Sequence, residues 1–117
     1  MNSGTDLKLN VELKSGINAC LTKILKELVM LETATIYTRI NIEIIKNFAE
    51  IQDLTNQIKI DVHNSNSVVQ FKKKYEQLNK DYFLNFKLLQ INKISKAKFT
   101  KNIDESIGEF RKTFYSL

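Results

Sequence analysis

The chain has 117 residues, a formal net charge of +5, 43% hydrophobic residues, three glycines, one cysteine, no tryptophan and no proline. This length fits one domain at most, and a lone Cys20 excludes an intrachain disulfide and points to a reducing, cytosolic setting. No apolar run approaches the ~18 residues that span a bilayer, and the opening Met-Asn-Ser-Gly-Thr-Asp lacks the basic and apolar regions of a secretory signal.

Proline is the strongest helix breaker. Between Gly16 and Gly108 the chain contains neither proline nor glycine, so an all-α fold of long helices is expected. Residues 1–16 read as an N-terminal arm, weakly ordered or helical. Leu7, Leu9, Val11 and Leu13 alternate with polar residues as in a strand, while Leu9, Leu13 and Ile17 also step by four as in a helix. Ser15-Gly16 is a candidate turn. Residues 17–117 read as a single helical, coiled-coil domain.

From Ile17 the helical period is clear. Ile17, Leu21, Ile24, Leu28 and Leu31 step by four and three. The seam weakens at Thr35 and Thr38, where a kink or a change of partner is expected, and resumes at Ile42 and Ile45. A second stripe then runs through Ile44, Phe48, Ile51, Leu54, Ile58 and Val62, with Ile44, Ile51 and Ile58 one heptad apart. One helix over 17–62 would be about 70 Å long. The polar run His63-Asn64-Ser65-Asn66-Ser67 reads as a break, and Ser67 with Gln70 reads as a capping box that starts a second helix. The stripe of that helix is Val68, Phe71, Tyr75, Leu78, Tyr82, Phe86 and Leu89. The stripe drifts at Leu84, Leu88, Ile91 and Ile94, and a last one runs Phe99, Ile103, Ile107, Phe110, Phe114 and Leu117. Thr100 or Asn102 could cap a separate short helix, or the helix could continue.

The expected architecture is therefore two long coiled-coil-like helices with a break near residues 63–67, either an antiparallel hairpin or a bent rod in a larger bundle. A two-helix hairpin covers little more than one apolar face, and this chain has two. The uncovered face predicts association with other helical subunits. The residues expected at that interface are Leu21, Ile24, Leu28, Ile44, Phe48, Ile51, Ile58, Tyr75, Leu78 and Tyr82.

Charge is uneven. Residues 1–62 hold seven basic and eight acidic side chains, and residues 63–117 hold eleven and five. Five lysines and no carboxylate lie between Lys87 and Lys101. Such a stretch suits a solvated helix face, an acidic partner helix or weak contact with an anionic membrane. Nucleic acid is disfavoured, because only Arg39 and Arg111 offer guanidinium groups. No catalytic residue, cofactor site or metal site is expected. His63 falls in the turn, Cys20 beside Leu21 on an apolar stretch, and one His with one Cys falls short of a four-ligand zinc site. The chain carries no phosphate-binding glycine loop.

Two short elements resemble the subunit 2 family of the biogenesis of lysosome-related organelles complex. Phe48, Glu50, Ile51, Gln52, Asp53 and Leu54 follow that family's order of aromatic, Glu, aliphatic, any residue, Asp, aliphatic. Lys74, Tyr75 and Leu78 follow its Lys-Tyr with a Leu three residues on. Tyr37 and Asn41 align after a small deletion. His63–Ser67 stands between the two elements, and Asn79-Lys80 stand where the family has proline. The resemblance implies a non-enzymatic subunit of a rod-like heteromeric complex, cytoplasmic or peripheral on endosomes, that directs cargo toward lysosomes and related organelles. A coiled-coil adaptor of a kinetochore or SNARE-type assembly, and a basic binder of membrane or nucleic acid, remain as alternatives.

Overall fold

The computed structural model describes residues 3–117, with side-chain surroundings from Lys8 onward. Met1 and Asn2 of the expected arm, and the side chain of Leu7, lie outside the described residues. The described chain is all-helical: α1 Ser3–Thr33, α2 Thr38–Asn56, α3 Ser65–Gln90 and α4 Lys96–Lys112, followed by a short 3-10 turn, Thr113–Ser116. The four helices run up, down, up, down as a bundle of 54 × 20 × 17 Å.

α1 passes through Ser15-Gly16 without a turn. Its buried residues Leu13, Ile17, Leu21, Ile24, Leu28 and Leu31 step by four and three, so the helical reading of the arm's leucines prevails over the strand reading. Cys20 is buried on the same stripe. Gly16 allows a close approach, since a Cβ there would lie 3.2 Å from Leu54 Cδ1 on α2.

The expected 17–62 helix is instead two helices. The break falls at residues 34–37, within the weak seam at Thr35 and Thr38. Thr33, Thr35, Ile36 and Thr38 are β-branched and stiff at χ1, which lowers helix propensity. Thr33 Oγ1 also donates to the Met30 carbonyl at 3.3 Å. Tertiary contacts then fix the turn. Tyr37 meets Phe86 edge-on with centroids 5.9 Å apart, and the Lys96 ammonium donates to the Ala34 carbonyl. Folding back here lays the α1 stripe on the Ile40, Ile44, Phe48 and Ile51 stripe of α2, so both apolar faces are covered within one chain.

The second break spans residues 57–64, earlier than the expected 63–67. Its polar side chains build it. Asp61 Oδ1 accepts from the backbone N–H groups of His63 (2.8 Å) and Asn64 (3.1 Å), and Asn64 Oδ1 accepts from Asp61 N–H at 2.8 Å. Across the bundle, Asn10 grips both backbone groups of Lys59, accepting from its N–H at 2.9 Å and donating to its carbonyl at 3.1 Å. Ile58 is buried from this loop, while Val62 is 92% exposed and carries no helical stripe. Ser67 lies inside the first turn of α3 rather than capping it. The N-cap position belongs to Asn64, whose carbonyl accepts from Val68 N–H at 2.9 Å.

α3 buries Val68, Phe71, Tyr75, Leu78, Tyr82, Phe86 and Leu89, the full stripe read from the sequence. It ends in a Schellman turn: Asn92 adopts φ 59°, its N–H donates to Leu89 O, and Lys93 N–H donates to Leu88 O at 2.8 Å. α4 is capped by Ser95, whose Oγ accepts from Lys98 N–H at 3.1 Å, and not by Thr100 or Asn102. Phe99, Ile103, Ile107 and Phe110 are buried, with Phe114 and Leu117 packed on the same core.

Candidate functional site

All ten residues expected at a partner interface lie in the chain's own interior. Leu21, Ile24 and Leu28 of α1, Ile44, Phe48 and Ile51 of α2, Ile58 of the following loop, and Tyr75, Leu78 and Tyr82 of α3 form one buried cluster. An apolar stripe is satisfied equally by another subunit or by the same chain folded back on itself. The extra break at residues 34–37 makes the second arrangement available here.

The two tyrosines are the polar members of this cluster. Tyr75 Oη donates to the Phe48 carbonyl at 2.5 Å, and Tyr82 Oη donates to Asn41 Oδ1. Burial pushes both phenol pKa values well above the usual tyrosine range, with Cys20 adding a smaller upward push at Tyr75. Burial likewise raises the Cys20 thiol, helped by Glu50 and opposed by Lys23. It is a packed thiol, not an activated one. Phe48 joins the pair, 6.5 Å from Tyr75 and 5.1 Å from Tyr82 between ring centroids.

These rings hold α2 and α3 apart. α1 packs closely on α2 and on α4, and α3 on α4, whereas α2 and α3 meet mainly through aromatic side chains. The result is an open groove of about 240 Å³ lined by Ile45, Phe48, Ala49, Gln52, Tyr75, Asn79 and Phe83. Phe83 is 49% exposed on its α3 side. On α2, Ile42 is 48% exposed one turn from Ile45. Asn79 Oδ1 is buried in this region without a hydrogen-bond partner. Lys72, Glu76, Lys80 and Lys87 share the helical face of Phe83 at steps of three and four. Phe83 belongs to neither main stripe of the sequence, while Ile42, which by spacing resumes the first seam with Ile45, is instead half exposed.

A second groove, of about 550 Å³, separates the outer faces of α3 and α4. Several of its polar side chains bond to one another. Asp81 Oδ1 accepts from Gln77 Nε2 at 2.8 Å and Asp81 Oδ2 from Ser106 Oγ at 3.2 Å, while Asn102 Nδ2 donates to Asn85 Oδ1 at 2.8 Å. The Ser106–Asp81 and Asn102–Asn85 bonds register α4 on α3. Among the described residues no group of three or more His, Cys, Asp or Glu side chains could hold a metal ion. His63 is exposed in the 57–64 loop. No described helix is long and apolar enough to cross a membrane. No family model, curated protein or solved structure matches the chain.

Proposed function

We propose that the chain is a non-enzymatic helical subunit of a hetero-oligomeric complex in endosomal and lysosomal membrane traffic, and that it receives a helix of another subunit along the α2–α3 groove. The observation that carries this reading is the groove itself: an apolar depression about two turns long between two helices, lined by Ile45, Ala49 and Phe83, with Phe83 and neighbouring Ile42 half exposed. A depression of this form suits an amphipathic helix with apolar anchors at steps of three and four. The α3 lip carries three lysines against one glutamate, so the incoming helix presents carboxylates on its α3 side.

Support for the endosomal setting comes from the Phe48–Leu54 and Lys74–Leu78 elements. Phe48, Ile51, Tyr75 and Leu78 are spent on the bundle core, while Glu50, Asp53 and Lys74 stand exposed on its exterior. The non-enzymatic reading is supported by the isolation of His63 and the burial of Cys20.

Affinity purification of the tagged chain from its native cell, beside a Phe83→Glu variant, tests the proposal. Stoichiometric recovery of helical subunits of an endosomal complex is expected, with loss of those partners in the variant at an unchanged melting temperature. Recovery of kinetochore or SNARE components would reassign the assembly. Full retention of partners by Phe83→Glu would remove the groove as the docking site.

A further inference from the structure

The net charge of the molecule sits at one end of the bundle. The α1–α2 and α3–α4 turns lie together there, joined by Lys96 to Ala34 and by Tyr37 on Phe86. Residues 30–42 and 85–101 make up this end and hold six basic side chains and one acidic one, a balance of +5. The remainder then holds twelve of each, from totals of 18 and 13, and is neutral. Arg39, Lys87, Lys93, Lys98 and Lys101 are all exposed, and none joins an ion pair among the described residues. Lys96 is the exception, since it is engaged in joining the two turns. Each turn region also exposes an isoleucine to solvent: Ile36 is 80% exposed and Ile91 53%.

We infer that this end of the bundle is a docking surface for an anionic lipid membrane, touching headgroups with its cations and seating Ile36 and Ile91 at the headgroup–acyl boundary. Two features select lipid over nucleic acid. First, isolated isoleucines on turns gain nothing from a phosphate backbone, whereas a bilayer interface offers anionic charge and apolar depth together. Second, the aromatic rings at this end are occupied with one another. Tyr37 faces Phe86, and Phe86 faces Phe99, so none is free to stack on a base. The sequence exposed only half of the surface, the Lys87–Lys101 stretch. Arg39 and Ile36 join it through the turn at residues 34–37. End-on attachment leaves the lining of the α2–α3 groove uncovered and shares only Lys87 with its lip, and the inference does not depend on what that groove binds.

Co-sedimentation of the 117-residue chain with vesicles of phosphatidylcholine containing about 30% phosphatidylserine tests it, with pure phosphatidylcholine vesicles and a DNA duplex as parallel arms. Binding to the anionic vesicles only, weakened by salt, is expected. Lys93→Glu/Lys98→Glu should lower partitioning at least about twentyfold, from roughly fivefold for each cation removed. Ile36→Ser/Ile91→Ser should lower it about tenfold. Lys73→Glu/Lys74→Glu makes the same charge change toward the other end of α3 and should change it less than about twofold. Helical circular dichroism should be the same in all variants, because every substituted side chain is exposed. Three results would overturn the inference: no partitioning onto anionic vesicles at 0.1 M salt, equal losses from both lysine pairs, or DNA binding as tight as vesicle binding with no effect of the isoleucine changes.

Discussion

At the scale of single residues, Tyr82 and Tyr75 show how a polar atom is kept in an apolar core. Each phenol has one acceptor, the Asn41 side chain or the Phe48 carbonyl. Phe48 O is also a helix carbonyl and keeps other partners, whereas Asn41 Oδ1 depends on Tyr82. Tyr82→Phe should therefore cost about 1 kcal/mol, and Tyr75→Phe less. The raised phenol pKa values also set a pH dependence. The unfolded chain loses these protons near the ordinary tyrosine pKa of about 10, while the folded chain retains them to higher pH. Above about pH 10 the unfolded state binds fewer protons, so stability falls as pH rises. Urea unfolding between pH 9 and 11 should show this fall, and it should be shallower in the Tyr75→Phe/Tyr82→Phe double variant. Identical slopes would show that the phenols titrate freely in the folded state.

At the scale of elements, the α3 stripe was fully legible because seven apolar residues at helical spacing have no competing reading. The breaks were legible only in part, as a weak seam at Thr35 and Thr38 and a polar run at residues 63–67. The turn at residues 34–37 contains no glycine, proline or cap, and the contacts that hold it come from Phe86 and Lys96, far along the chain. The 57–64 loop was read several residues late because Ile58 and Val62 continue the heptad spacing past the end of α2, and only the Asp61–Asn64 side-chain bonds reveal the turn. The α3–α4 break rests on Asn92, whose left-handed backbone is tolerated by asparagine but preferred by glycine. Asn92→Gly should therefore raise stability by about 0.5 kcal/mol and Asn92→Val should lower it by about 1 kcal/mol or more. Thermal melting of the two variants checks the order. If valine were neutral at this site, α3 and α4 would not be separated by the Schellman turn.

At the scale of the whole molecule, the ten residues expected to meet a partner instead meet each other, because periodicity locates an apolar face without saying which chain covers it. Full chain reversals at residues 34–37 and 91–95, where the sequence suggested at most a kink and an optional short helix, turn a hairpin into a bundle with its own interior. What remains for partners is the α2–α3 groove, where tyrosine and phenylalanine rings separate the helices, and the cationic end that carries the net charge. Neither is visible as a motif, since each is assembled from two helices or two turns distant in sequence. The central claim is that one chain closes this four-helix core, and small-angle X-ray scattering of the isolated protein tests it most directly. The bundle predicts a radius of gyration near 15.5 Å and a longest dimension near 54 Å. A value of about 20 Å or more, as expected for a rod built on a continuous helix of about 70 Å through residues 17–62, would contradict it.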